Sequence, residues 1–362
     1  MYSRIIGLIW SSQTYERELA RQVFHWLLCA KTQLVADQLH DILECSYDHS
    51  KKGQQMVRQT QSHPVKENFS TFSNMIILAC SSLVEIRHAS RTLGSHYRFI
   101  HLSAVEFFLN RIQHVHHCGV DAIAYFSFCK PEAEIRFTVE CLNYLKFWVP
   151  AGPLSGNMLQ PAQRFSVQQA LPFFEYASIH WSSHLRSCFD CQHETYTDHV
   201  QRLLSSLSGF LSARLVLMTW VESLYLFGTG TLIRERVDNL KQWLAWTTQH
   251  NLEVLAGIHT TASLHDLGLF LDDLVKMDDL WGISLQVAPE QIWQDITAFT
   301  PSRFFLQTSA TTTRQLPSNN LSHDSLARVC LCTISEDIPD GSAMAVLGIW
   351  PSRCVLRQRY DH

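Results

Sequence analysis

Cys188 and Cys191 stand at C-x-x-C spacing, and His193 and His199 follow them. Two thiolates so placed can share one tetrahedral Zn²⁺. The second half of the set fits less well, because no standard finger uses the spacing after Cys191. The cluster reads instead as a joint between helices that happens to carry thiols. His180 and His184 lie i, i+4 on one helical face, a spacing that can chelate a metal. Residues 181–183 are Trp-Ser-Ser, so the glutamate of H-E-x-x-H is missing and zinc-protease chemistry is excluded. These two read as partly buried, hydrogen-bonded histidines. His114, His116, His117 and Cys118 fall in a stretch that reads as a solvated loop. Asp272, Asp273, Asp278 and Asp279 lack the alternating ligands and closing glutamate of an EF-hand, and read as a solvated helix end.

Nucleotide and acyl-transfer signatures are missing too. No G-x-x-x-x-G-K-[ST] occurs, so the loop that cradles phosphates is absent. Gly152-Pro153-Leu154-Ser155-Gly156 places its serine one position late for G-x-S-x-G and sits in a Pro/Gly-rich stretch without a strand-to-helix elbow. The 362 residues carry a net charge of −4, which argues against a general polyanion binder. The odd count of 11 scattered cysteines does not look like a secreted disulfide framework, and the N-terminus lacks a signal-peptide core. These features lead us to expect a cytoplasmic protein with reduced thiols and no cofactor. Phe210–Phe227 has about the length a bilayer needs. It contains Arg214 and Glu222, each costing about 3 kcal/mol at the centre of a membrane, and therefore reads as a buried core helix.

The elements that must position these residues follow from periodicity. Tyr15–Ala30 has Leu19, Val23, Trp26 and Leu27 on one helical stripe, and a second helix starts near Leu34. Cys45–Phe69 reads as a polar loop, and Phe72–Ser82 as an apolar helix. Two strands follow, Leu83–Ile86 and Tyr97–Ile100, around a turn that ends at Gly94. Ser103 and Glu106 have capping-box spacing, with Leu102 and Phe107 placed as a hydrophobic staple. Three helices and a hairpin are the order of a winged helix. Its reading helix would offer Asn74 and no Lys or Arg, which is poor equipment for a major groove, although the wing carries Arg87, Arg91 and Arg98. Ala151–Arg164 reads as a linker. Helices are expected over Pro172–Arg186, Glu194–Ser208, Phe210–Phe227, Leu232–Gln249, Leu264–Met277 and Pro289–Phe299. Strands are expected over Arg303–Thr308, Leu326–Ile334 and Ala343–Ile349.

Several of these stretches resemble fungal NACHT-type STAND NTPases, relatives of the NOD-like receptors. Val23, Trp26, Leu27, Ala30, Leu34 and Leu39 match the first helices of their winged-helix segment, while Gln33, Val35 and Gln38 depart from its Pro, Thr and Glu. Phe99, His101, Ser103, Glu106, Phe107 and Phe108 are similar to the signature F-x-H-x-S-V-x-E-[FY]-[LF]. Leu142, Tyr144 and Leu145, then Phe174, Tyr176, Ala177, His180, Trp181 and His184, look like the two helical signatures that follow. Trp281, Pro289, Ile292, Trp293, Ile296 and Phe299 are similar to the next segment, and Val346–Arg353 to a later strand motif.

The resemblance implies the region of a STAND receptor after its NTPase, with the NACHT module itself absent. His101 would correspond to the winged-helix histidine that approaches nucleotide in some relatives. The expected architecture is mainly α: a winged-helix domain over 1–112, a connecting helix and linker over 113–165, a helical domain over 166–300 and a short β-strand tail over 301–362. The expected function is a non-enzymatic regulatory or interaction module. Its partners would be other protein domains, such as a NACHT module or sensor repeats, with no nucleic acid and no membrane. The competing reading is a DNA-binding or zinc-dependent regulator that uses the winged helix or the Cys188/Cys191 cluster. Protein purified without chelator should carry no stoichiometric zinc by elemental analysis. One zinc per chain, lost in Cys188→Ser and Cys191→Ser, would establish the competing reading.

Overall fold

The computed structural model describes residues 2–51, 69–88, 94–110, 121–126, 130–190, 197–228, 232–249, 258–294, 296, 349–350 and 353–354. Helices α1 (Tyr2–Trp10), α2 (Thr14–Cys29), α3 (Ala36–Lys51) and α4 (Phe69–Ala79) precede an antiparallel hairpin of β1 (Val84–His88) and β2 (Ser95–Phe99). Then come α5 (Leu102–Asn110), α6 (Asp121–Phe126), α7 (Lys130–Phe147), α8 (Arg164–Ala170) and α9 (Phe174–Arg186). Helices α10 (Thr197–Ser212), α11 (Arg214–Phe227), α12 (Leu232–Gln249) and α13 (Ile258–Val287) complete the helical part, followed by a 3₁₀ turn over Pro289–Trp293. The short strands β3 (Ile349–Trp350) and β4 (Arg353–Cys354) pair antiparallel. The strands expected over Arg303–Thr308 and Leu326–Ile334 lie outside the described residues, as does most of Ala343–Ile349.

Helix α2 is covered on opposite sides by the hairpin end and by the arm. Phe24 points to one side, with ring centroids 5.7 Å from Phe99, 5.0 Å from Phe108 and 5.9 Å from Phe126. Trp26 points to the other, 4.2 Å from Phe137 on α7 and 5.4 Å from Phe173 before α9. A single amphipathic stripe covers about 100° of a helix. Here Leu19, Ala20, Val23, Phe24, His25 and Trp26 are all buried, so the helix is covered well beyond one stripe. Helix α7 makes the same kind of bridge, packing on α2 and α3 as well as on α9 and α10.

The hairpin keeps the expected alternation. Tyr97 and Phe99 face the core, opposite Ile86 and Val84, and the Tyr97 hydroxyl bonds His40 at 2.7 Å. Gly94 enters β2 with φ +67, a conformation glycine adopts without a Cβ penalty. The corner beyond β2 differs from expectation. Ile100 N–H continues to the Leu83 carbonyl and Ala104 N–H bonds the His101 carbonyl, so α5 starts at Leu102 and Ser103 lies inside its first turn. Ser103 Oγ bonds the Tyr2 hydroxyl at 2.6 Å instead of capping Glu106. Leu102 is 73 % exposed and staples nothing, while His101 and Glu106 also face outward. Phe107 packs half-buried on Tyr2, with ring centroids 5.4 Å apart.

A half capping box forms elsewhere, at a departure from the family pattern. Gln38 Oε1 accepts the backbone N–H of Val35 at 3.1 Å, and Leu39 N–H bonds the Val35 carbonyl, so α3 starts without a hydroxyl cap. Helix α3 also continues through Cys45 to Lys51, where a loop was expected.

Three further expectations change. Phe210–Phe227 is not one helix, because α10 ends at Ser212 and α11 leaves it at 88°. Among the described residues no single helix is long and apolar enough to cross a membrane. The stretch Ala151–Arg164, expected as a linker, is fastened to α11 at its start, and Arg164 opens α8. Thr219 Oγ1 is 3.0 Å from the Pro150 carbonyl and 2.8 Å from that of Gly152, and Glu222 accepts the Leu154 N–H at 3.0 Å. Finally, the acidic run is no helix end, since α13 continues to Val287. Asp272 pairs with Lys241 at 3.0 Å, Arg234 lies 3.6 Å from Asp278, and Tyr225 donates to Asp278 at 3.1 Å. Asp273 is buried. These acids join α13 to α12 and α11.

Phe99→Ala should cost about 3 kcal/mol or more, since it empties a site against Phe24 and Phe108. Ser103→Ala should cost less than about 0.5 kcal/mol, as an exposed hydroxyl that caps nothing. Urea denaturation of both variants checks this, and a loss of about 1 kcal/mol for Ser103→Ala would reinstate the cap.

Candidate functional site

The residues that sequence reasoning singled out separate into a surface group and a buried group. The surface group borders a groove of about 480 Å³ between the end of α2 and the corner after β2. Gln33 and Leu34 form one wall, and Arg98, Ile100, His101 and Val105 contribute to the other. Val35 makes an isolated antiparallel bridge to His96, so the chain before α3 runs along part of β2. Arg98 pairs with Glu85 at 2.7 Å, and Arg87 reaches the same carboxylate at 3.1 Å. One acid thus offsets two of the three wing arginines; the third, Arg91, lies outside the described residues. The bonds from Arg98 and Arg87 hold the Glu85 carboxyl below its ordinary range.

The buried group centres on Glu134 of α7. Its Oε1 accepts from Lys31 Nζ at 2.8 Å, and its Oε2 lies 2.5 Å from His184 Nδ1. His184 Nε2 is 2.8 Å from the Tyr176 hydroxyl, whose oxygen accepts the Lys31 backbone N–H at 2.9 Å. Lys31 Nζ also reaches Ser187 Oγ at 2.8 Å. These donors fix the tautomer. Tyr176 donates its proton to Nε2, so Nδ1 carries the imidazole proton and donates it to Glu134. Burial drives His184 below its ordinary pKa against the opposing pull of Glu134, which keeps the ring neutral. Burial pushes the Glu134 carboxyl up, but bonds from His184 and Lys31 outweigh it and hold it below its ordinary value. The result is one ion pair and one neutral imidazole in a fully bonded set. A second buried acid works in parallel: Asp41 Oδ2 accepts from the Tyr144 hydroxyl at 2.5 Å and from the Phe173 N–H at 3.0 Å.

A carboxylate, an imidazole and a hydroxyl in sequence have the order of a proton relay. Chemistry also needs access to the reacting atom. His184 is 0 % exposed and the groove lining does not include it, so the set joins α2, α7 and α9 rather than meeting a substrate. Sequence reasoning anticipated a hydrogen-bonded His184 but not its partners. Nothing local signals Glu134 or Lys31, which lie 103 residues apart.

The zinc candidates are not drawn together where they are described. Cys188 is buried and its Sγ–H points to the His184 carbonyl at 3.3 Å. His199 sits on α10, 3.4 Å from Glu132. Cys191 and His193 lie outside the described residues, as do His114, His116, His117 and Cys118. Among the described residues no group of three metal-capable side chains occurs. Trp181 is buried against Phe210 and Trp220, with ring centroids 5.8 and 5.6 Å away. Compared with protein-family models, curated proteins and solved structures, the chain matches none.

Glu134→Ala should destabilise by about 3–5 kcal/mol, because it leaves Lys31 and His184 facing a buried gap. Acid should act in the same direction. Burial, first among the causes, lowers His25 to about 2 and His40 and His180 to about 4, and His184 is lowered as well. Each of these rings binds a proton in the unfolded chain at higher pH than in the fold. Stability should therefore fall as pH drops below 6.5, the ordinary histidine value, by up to about 1.4 kcal/mol per pH unit for each histidine. Urea midpoints at a series of pH values between neutral and mildly acid test the slope, and a flat profile would show that these rings are not buried as described.

Proposed function

We propose that the chain is a non-enzymatic regulatory and interaction module related to the part of a NACHT-type STAND receptor that follows the NTPase. In this reading α2, α3, α4 and the hairpin are a winged helix, and α7 onward is its helical arm. The observation that carries the proposal is where the motif residues lie. Trp26, Tyr176 and His184, quoted above for the resemblance, build the joint that locks α2 to α7 and α9. His101, from the same signature as Phe99, is exposed at the groove. A rigid joint with an open groove beside it suits a part that transmits a position, and a histidine at its rim is available to a neighbouring domain. Helix α4 reads FSTFSNMIILA and carries no cation, which weighs against a groove-reading role on DNA.

The reading predicts no ATP turnover by the chain alone, because the phosphate loop is absent. Turnover that survives repurification and is lost on mutation of a residue in this chain would overturn it. It also predicts binding to a NACHT module supplied as a separate protein. In titration calorimetry, Ile100→Asp with His101→Glu should weaken that binding about tenfold or more. Equal affinity for the parent and the double variant would remove the groove from the interface. A reading frame for a P-loop module immediately upstream of Met1 in the genomic DNA would support the same relationship independently.

A further inference from the structure

Glu222 sits in the middle of α11 and is completely buried. Its Oε2 accepts two hydrogen bonds from elements distant in sequence: the Leu154 backbone N–H at 3.0 Å and Trp293 Nε1–H at 2.7 Å. One carboxyl oxygen thus fastens both the loop after α7 and the 3₁₀ turn after α13 to the same helix. Thr219, one turn earlier on α11, accepts from the Gly152 N–H at 3.3 Å and seats the same loop. Met158 in that loop accepts from Gln294 Nε2 at 2.9 Å, so the loop and the turn also touch each other. The other carboxyl oxygen, Oε1, has no hydrogen-bond partner among the described residues.

We propose that Glu222 is a proton-dependent clasp, which holds residues 150–158 and 289–294 on α11 while it is protonated and loosens them when it ionises. The protonated acid can still accept both N–H groups at Oε2, and leaves only a neutral hydroxyl without a partner. The ionised acid leaves a charged oxygen in a buried site with no donor among the described residues, which costs far more.

Among the described residues no cation is one of the groups that shift Glu222. Residues 150–163 contain no ionisable side chain. Burial raises the Glu222 pKa and outweighs the two N–H bonds that lower it, and the like charge of Glu290, the ionisable group on the 3₁₀ turn, adds a smaller push in the same direction. On α11 itself, Arg214 opens the helix two turns before Glu222, with the charge of Asp266 acting on it, and Tyr225 is bonded to Asp278 of α13. Of the other helices packed on α11, α9 directs His184 to Glu134, α10 directs His199 to Glu132, and Lys146 of α7 lies against Gly209. Because the folded pKa is raised, the clasped state binds more protons than the open state. Its stability is complete below the ordinary glutamate pKa and declines as pH rises from there to the folded value.

Hydrogen–deuterium exchange of the full chain, corrected for the intrinsic effect of pH, reads the clasp directly. Peptides covering 150–158 and 289–294 should open about tenfold or more as pH rises from about 5 to 8, while peptides from α2 and α9 should not open in that direction. Glu222→Gln keeps the accepting oxygen and cannot ionise, so its two peptides should show no rise. Glu290→Gln keeps Glu222 and removes the like charge, which lowers the folded pKa, so the rise should be smaller and should end at lower pH. The same pH profile in the parent and in Glu222→Gln would overturn the proposal. Should Glu222→Gln fail to fold, an unmoved profile in Glu290→Gln would overturn it instead.

Discussion

The Glu134 carboxylate is the constraint on which the two halves of the chain depend. It lies on α7 with Lys31, from the end of α2, on one oxygen and His184 of α9 on the other. A buried carboxylate is costly unless every lone pair and neighbouring donor is matched. Here the acceptor lies on α7 and the matching donors come from the end of α2 and from α9, so the charge can be satisfied in one arrangement of the three helices and not in a slid or rotated one. The apolar core supplies most of the free energy of folding, but apolar contacts tolerate small shifts that hydrogen bonds at 2.5–2.9 Å do not.

Packing around the joint is aromatic on both sides. Phe24, Phe99, Phe108 and Phe126 fill the space under the hairpin, while Trp26, Phe137, Phe173 and Tyr176 fill the space towards the arm. Further along, Trp181, Phe210, Trp220 and Phe270 make a third group, with edge-on and tilted contacts. Large rings in fixed mutual orientation interlock, and the buried residues form one continuous cluster from Ile6 to Ile296. The hairpin, the groove and the arm therefore share one interior.

The helices were legible because periodicity reports a buried face, and α2, α9 and α12 fall within a residue or two of where their stripes place them. Starts and bends were less legible. Ser103 and Glu106 offered a better local cap than the chain uses, because the Tyr2 hydroxyl, 101 residues away, engages Ser103. Gln38 closes the start of α3 at Val35, where only the back-bond half of the box forms. The break at Ala213 leaves apolar residues on both sides and so does not interrupt the hydropathy pattern. Of the buried polar joint, the sequence showed His180 and His184 at helical spacing. Their partners are set by tertiary contact, and no local pattern encodes those.

The bend at Ala213 also bears on the chain before it has folded. As the segment from Phe210 to Phe227 emerges during synthesis, neither the loop nor the 3₁₀ turn that later covers it is in place, since Trp293 is made 71 residues after Glu222. For that interval the segment looks like a candidate for membrane insertion. Arg214 and Glu222 would each oppose insertion by about 3 kcal/mol at the bilayer centre. The side chain that closes the finished structure thus also guards the nascent one, and an apolar replacement at position 222 that packs well in the fold would remove that guard from the growing chain.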